Sequence, residues 1–221
     1  HLYLRVLPPS GRVLISAPRR MDLETIRLFA ISRLGWIKKQ QKKLLASGAT
    51  ANDLFGFSVS ISSDTVLIGA IKGDKPGVAD VGAAYVFTRS GGTWPQQQKL
   101  LANDAAVSDC FGSSVSISGT TLVVGAYSDD NAGGADAGGA YVFGRGTTNW
   151  AQVTKLVGEK DPRQYDYFGQ SVAVDGNTMV VGIASRDSTA GGNSGAVQVY
   201  RRMDNGTPQN PNDDTWAFEA Q

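Results

Sequence analysis

The side chains that most often carry catalysis are scarce in this chain. Its single histidine is His1 and its single cysteine is Cys110. No Ser/His or Cys/His pair can form within it for nucleophilic catalysis. No H-E-x-x-H helix or Cys/His cluster is present for zinc, so zinc is not expected. Cys110 has no intrachain disulfide partner and is expected to be a small, half-buried apolar residue, because Leu54 and Tyr167 stand at its repeat-equivalent positions. Aspartate, by contrast, recurs. Asp53, Asp109 and Asp166 each lie two residues before a Phe-Gly pair. Asp74, Asp130 and Asp187 form a second set, and Asp80, Asp136 and Asn193 a third. Such residues can act as acid and base, ligate calcium through oxygen, or close turns through their own backbone. Recurrence favours turn chemistry over a single active site. An oxygen site for calcium is the weaker reading, because no dense run of ligands accompanies these acids. The glycine-rich stretches "GGAYVF" and "AGGADAGGA" lack the lysine and the strand–loop–helix setting of a phosphate loop.

The elements that must position these acids are repeats. "DLFGFSVSISSDTVLIGA" (53–70), "DCFGSSVSISGTTLVVGA" (109–126) and "DYFGQSVAVDGNTMVVGI" (166–183) share one pattern. Its landmarks are Phe55-Gly56, Phe111-Gly112 and Phe168-Gly169, then Gly69, Gly125 and Gly182, then Gly82, Gly138 and Gly195. Trp94, Trp150 and Trp216 follow, the last delayed by "MDNGTPQNPNDD". Each unit contains four short strands joined by turns, the pattern of a propeller blade. A glycine after each Phe permits close backbone approach, and the ring can fill the space between blades. In an up-and-down meander, the loop between strands two and three emerges on the same side as the entry to strand one. All nine acidic-set residues are therefore expected along one rim.

These units resemble FG-GAP repeats, the blade repeat of integrin-α-like propellers, on "FG…SV…VVGA…GGAYVF…W…KL" over about residues 43–221. The fold class implied is mainly β: a partial propeller of three four-stranded blades, preceded by a short ββα unit. Calcium-binding members of that family carry a D-x-D-x-D-G-like loop between "FG" and "GA". Here that interval holds only hairpin turns, so the family's usual calcium site is not carried over. "DGN" at 175–177 is expected to be an ordinary hairpin turn.

The first fifth of the chain differs. Residues 1–47 hold ten of the 21 Lys/Arg and two of the 20 Asp/Glu, and the remainder is correspondingly acidic. Alternation at Leu2, Leu4 and Val6, "PPSG" at 8–11 and "RVLISA" predict a hairpin. Asp22 is placed to cap a helix, with Leu23, Ile26, Ala30, Leu34 and Ile37 on one face and Lys38, Lys39, Lys42 and Lys43 towards its end. This stretch, including "WIKKQ", resembles the start of YgjP-like zinc metallopeptidase domains. Their zinc motif is absent, so the resemblance brings no activity with it. The expected division is a ββα unit over 1–43 and repeats over 44–221 (about 44–100, 101–156 and 157–221), with weak packing between the parts.

The expected function is that of a non-catalytic binding or adhesion module. Its partner would be a protein or carbohydrate ligand, and its setting extracellular or at the cell surface. The alternative is a truncated, inactive metallopeptidase-related protein, cytoplasmic if the N-terminal resemblance governs. The first residues lack the form of a secretory signal, and no stretch is long and apolar enough to span a membrane. The basic helix is expected to be a solvated face, without nucleic acid as partner. The final repeat stops within its fourth strand at "TWAFEAQ", so an open arc is expected to associate with other copies through its uncovered edges.

Overall fold

The computed structural model describes residues 3–7, 12–16, 21–32, 44–158, 162–187, 191–203 and 214–219. Two compact units divide between Leu45 and Ala46. In the first, β1 (Tyr3–Leu7) pairs antiparallel with β2 (Arg12–Ser16), from Tyr3↔Ser16 to Leu7↔Arg12. Helix α1 spans Leu23–Ser32. Asp22 caps it, accepting the Thr25 backbone N–H at 2.8 Å and the Thr25 hydroxyl at 2.7 Å. These bonds hold the Asp22 carboxyl below its ordinary pKa. Ile26 and Ala30 are half-buried, as the stripe predicts, whereas Leu23, at the first position of the helix, is exposed. "PPSG", Leu34, Ile37 and the lysine-rich stretch lie outside the described residues.

The second unit contains three four-stranded antiparallel sheets, each a simple meander. Blade 1 consists of β3 (Phe55–Ser62), β4 (Thr65–Ala70), β5 (Ala83–Thr88) and β6 (Gln96–Leu100). Blade 2 consists of β7 (Ser114–Ser118), β8 (Thr121–Ala126), β9 (Gly139–Arg145) and β10 (Trp150–Leu156). Blade 3 consists of β11 (Phe168–Asp175), β12 (Thr178–Ile183), β13 (Ala196–Met203) and β14 (Thr215–Phe218). Two-residue turns join the first two strands of each, closing on Ser62↔Thr65, Ser118↔Thr121 and Asp175↔Thr178. Gly176 has φ 54° in the last of these, so "DGN" is a hairpin turn. The chain thus forms three blades of an unclosed propeller.

The core lies between blades, because a middle strand has neighbours on both faces. Leu67, Ala84 and Val86 of blade 1 pack against Val115, Ile117, Leu122 and Tyr141 of blade 2. Val123, Ala140 and Val142 of blade 2 pack against Val174, Met179, Val181 and Tyr200 of blade 3. Phe111 and Phe168 are fully buried in these layers. Phe111 meets Tyr141 edge-on at 5.3 Å, in the space-filling role its sequence position suggested.

Hydrogen bonds between first strands align successive blades. Ser58 Oγ donates to the Gly112 carbonyl and Ser114 Oγ to the Gly169 carbonyl, both at 2.8 Å. Ser60 accepts the Ile117 N–H and Ser116 the Val174 N–H, at 3.2 and 3.0 Å. The serines that alternate with Val and Ile in β3 and β7 therefore face the following blade; Val115 and Ile117 of β7 face blade 1, and Val59 and Ile61 of β3 are exposed.

Candidate functional site

The acidic sets occupy the loops that enter the first strand and those that join the second strand to the third, so the meander brings all nine residues to one end of the blades. Asp53, Asp109 and Asp166 are buried. Each accepts the backbone N–H three residues before it: Thr50 at 2.9 Å, Ala106 at 2.7 Å and Arg163 at 2.9 Å. The residues on either side have positive φ: 74° and 56° at Asn52 and Leu54, 70° and 59° at Ser108 and Cys110, 64° and 58° at Tyr165 and Tyr167. Side chains with a Cβ rarely adopt this conformation, so the buried carboxylate holds a costly turn in place.

The other two sets work as pairs. Asp74, Asp130 and Asp187 each accept the backbone N–H six residues on, from Asp80 at 3.0 Å, Asp136 at 2.9 Å and Asn193 at 2.8 Å. The receiving residues have φ of 54°, 51° and 51°, a region in which Asp and Asn are enriched. The N–H bond, with the Thr50 hydroxyl, holds the Asp74 carboxyl below its ordinary pKa. The Asp80 carbonyl then accepts the Ser108 N–H at 2.9 Å and that of Asp136 the Tyr167 N–H at 3.2 Å, so each loop supports the entry of the next blade. Asp53, Asp74 and their repeats thus brace the loops through their carboxylates, and Asp80, Asp136 and Asn193 receive that bracing at their backbone N–H. In blade 1, Ala51, Asn52, Leu54, Lys72, Asp74 and Asp80 line a shallow hollow of about 440 Å³. Among the described residues, no group of three or more His, Cys, Asp and Glu is arranged to hold a metal.

Two features at this end escaped the repeat pattern because they occur once. The first is a polar quartet in blade 2. Lys155 Nζ donates to Asp104 at 2.7 Å and to Asp129 at 2.8 Å, and the Tyr141 hydroxyl lies 2.9 and 2.7 Å from the same two carboxylates. Burial opposes the Lys155 charge, but the bonds to Asp104 and Asp129 outweigh it and raise the pKa. Burial also opposes the Asp104 charge, and bonds from Lys155 and Tyr141 more than compensate. Burial, followed by the bond to Asp129, drives the Tyr141 pKa upward. Beside this quartet, burial lifts the Asp109 pKa to about 6. Lys155 thus balances the charge of the two carboxylates and ties β10 to the loops that carry them.

The second feature is aromatic. Tyr127 meets Tyr167 edge-on at 5.9 Å, and Tyr165 lies 6.3 Å from Tyr167. Tyr165 is half exposed. Cys110 is partly buried beside the Tyr127 hydroxyl, whose pKa rises first through their hydrogen bond and then through burial. In blade 1 the repeat-equivalent positions hold Ile71, Asn52 and Leu54. Comparison of loop residues between repeats was the signal that could have singled out the tyrosines.

No curated protein sequence matches the chain. Among solved structures, it is similar to Saccharomyces cerevisiae Sqt1, at 13% sequence identity and a TM-score of 0.44. That alignment covers 79% of this chain and 38% of the Sqt1 chain. The FG-GAP repeat family model matches residues 39–87, 94–143 and 150–200; each match takes in the first three strands of one blade, and the second and third also take in the last strand of the blade before. With its Phe-Gly pairs, four-stranded meanders and three successive matches, the chain belongs to the FG-GAP repeat family.

Proposed function

We propose that the chain is a non-catalytic binding module, serving adhesion outside the cell or at its surface. The loop end carrying Tyr127, Tyr165 and Tyr167 would meet a protein or carbohydrate ligand. The reading is carried by one observation: a partly exposed aromatic group sits on loops that buried aspartates and paired backbone hold fixed. Rigidly mounted loops are favoured places for binding, and tyrosine offers contact area at low entropic cost. Within this reading the recurrent acids shape the loops, and neither catalysis nor a bound cofactor is required. The N-terminal ββα unit is taken as a metallopeptidase-like start without its chemistry, since His1 is the only histidine. The test is binding of the chain to an array of soluble oligosaccharides and immobilised extracellular proteins, alongside Tyr165→Ala with Tyr167→Ala. A hit lost in the double variant supports the proposal. A hit unchanged by it, or no hit at all, counts against it.

A further inference from the structure

Each junction between blades uses the same plug and slot. The plug is a Phe-Gly pair at the entry of a blade. The slot is a strip of the preceding blade lined by two glycines and a serine. Gly82 pairs in parallel with Phe111, and Gly138 with Phe168. A Cβ on Gly69 would overlap the Gly112 carbonyl, and one on Gly125 the Gly169 carbonyl. Only glycine leaves room there, and the serine hydroxyl fixes the seated carbonyl from beside it.

Blade 3 has the slot without a plug. Ser171, Gly182, Gly195, Ala196 and Val197 border a hollow of about 420 Å³. Among the described residues, no carbonyl of another blade lies over Gly182, and the nearest atoms to it are those of its own Ser171. Val197 is 67% exposed, whereas Ala84 and Ala140 at the same position are fully buried. Blade 1 has the plug without a slot. Gly56 has φ 95°, beside 92° and 86° for the seated Gly112 and Gly169. The plug therefore holds its docked backbone conformation before docking, which lowers the ordering cost of association. Behind it, Val59 and Ile61 are 67% and 64% exposed, whereas Val115 and Ile117 at the same positions are 8% and 6% exposed.

We infer that the slot of blade 3 receives the Phe55–Gly56 plug of a second copy of this chain, joining copies head to tail. The occupant follows from the two internal junctions, which display what this slot holds, and from the presence of both halves in one polypeptide. Ser171 supplies the hydroxyl for the incoming Gly56 carbonyl. Asp175, at the place of Ser62 and Ser118, supplies an acceptor further along the strand. Ala173 replaces Ser60 and Ser116, so the new junction has one hydrogen bond fewer than the internal ones. The contact is heterologous, so one copy leaves a free plug and a free slot for the next.

Sedimentation velocity on the full chain tests this, with Ile61→Glu spoiling the plug face and Val197→Glu the slot face. Wild type should grow in size with concentration, and each variant should associate at least about tenfold more weakly. Mixed in equal amounts, the two variants should form one-to-one dimers and nothing larger, because only one intact plug and one intact slot remain. A wild type that stays monomeric, a variant that associates like wild type, or a mixture that does not recombine overturns the inference. Both positions are exposed, so circular dichroism should match wild type. A variant that misfolds is replaced by Ile61→Ser or Val197→Ser under the same criteria.

Discussion

Tyr85 and Tyr141 occupy the same position in successive blades and have opposite surroundings. The Tyr141 hydroxyl lies between two carboxylates that Lys155 neutralises. The Tyr85 hydroxyl is buried without a hydrogen-bond partner among the described residues, and burial pushes its pKa up to about 12. The difference traces to small exchanges. Asp104 and Asp129 are replaced in blade 1 by Gly48 and Gly73, and Gly139 is replaced by Ala83. A Cβ on Gly139 would lie 3.1 Å from the Asp129 carboxylate, and one on Gly73 only 2.6 Å from the Ala83 methyl. Either the carboxylate or the methyl fits, and each blade has chosen one. Lys99 keeps the place of Lys155, but its ammonium donates to the Asp74 carbonyl at 2.6 Å. The same scaffold is thus completed by charge in one blade and by carbon in the next.

The largest expected contrast lies at the lysines. Lys155→Met leaves the buried Asp129 carboxylate uncompensated and should cost about 3–5 kcal/mol. Lys99→Met removes one bond to a carbonyl and should cost about 1 kcal/mol. Equal losses in urea unfolding would dissolve the distinction between the blades. Next come the faces. Ile117→Ala removes side-chain atoms from the layer between blades 1 and 2 and should cost about 2–4 kcal/mol. Ile61→Ala, at an exposed position, should cost under about 1 kcal/mol in the monomer.

Asp109 sharpens the comparison through pH. Its folded-state pKa of about 6 lies above the ordinary 3.8, so the folded chain releases this proton later than the unfolded one. Its contribution is therefore full below pH about 4 and is lost as pH rises to about 6, at most about 3 kcal/mol. Asp109→Asn keeps an oxygen for the Ala106 N–H and removes the titration. The variant should match wild type at pH 4 and exceed it at pH 7, as thermal melts at the two pH values would reveal. A gain of equal size at both would refute the assignment.

A smaller effect is expected from transplanting the exchange. Gly73→Asp alone should destabilise blade 1, and Ala83→Gly added to it should restore stability, with a coupling of about 1–2 kcal/mol in a double-mutant cycle. Additive losses would mean that the two positions do not share the space. The smallest contrast concerns the hydroxyls themselves. Tyr141→Phe should cost about 1 kcal/mol, whereas Tyr85→Phe should be neutral or slightly stabilising because it removes an unsatisfied group.

Much of the fold was legible because it repeats. The Phe-Gly pairs and the glycines 13 residues beyond each Gly56-type position mark places where three blades solve one packing problem, and the alternation of serine with Val and Ile marks the two first strands that another blade follows. The placing of Asp53, Asp74 and their repeats in matching loops was legible for the same reason. The positive φ at Leu54, Cys110 and Tyr167 was not, since apolar and aromatic residues give no hint of that conformation. Nor was the quartet. Asp104, Asp129 and Gly139 acquire meaning only together in space, and no second blade repeats them. The tyrosine group is likewise drawn from two blades and has no spacing to betray it.

The hydroxyl stitches between blades also bear on how the chain folds. Each joins residues 54 to 58 apart in sequence, one repeat length and no more. The entropy of closing a loop depends on its length, so docking blade 3 on blade 2 demands the same closure as docking blade 2 on blade 1. None of these stitches requires the distant ends of the repeat array to find each other, and such nearest-neighbour order allows a nucleus to spread outward. Blade 2 shares both junctions and is the natural starting point. During synthesis, blades 1 and 2 would each need only one further repeat to emerge from the ribosome before the face towards the next blade is sealed.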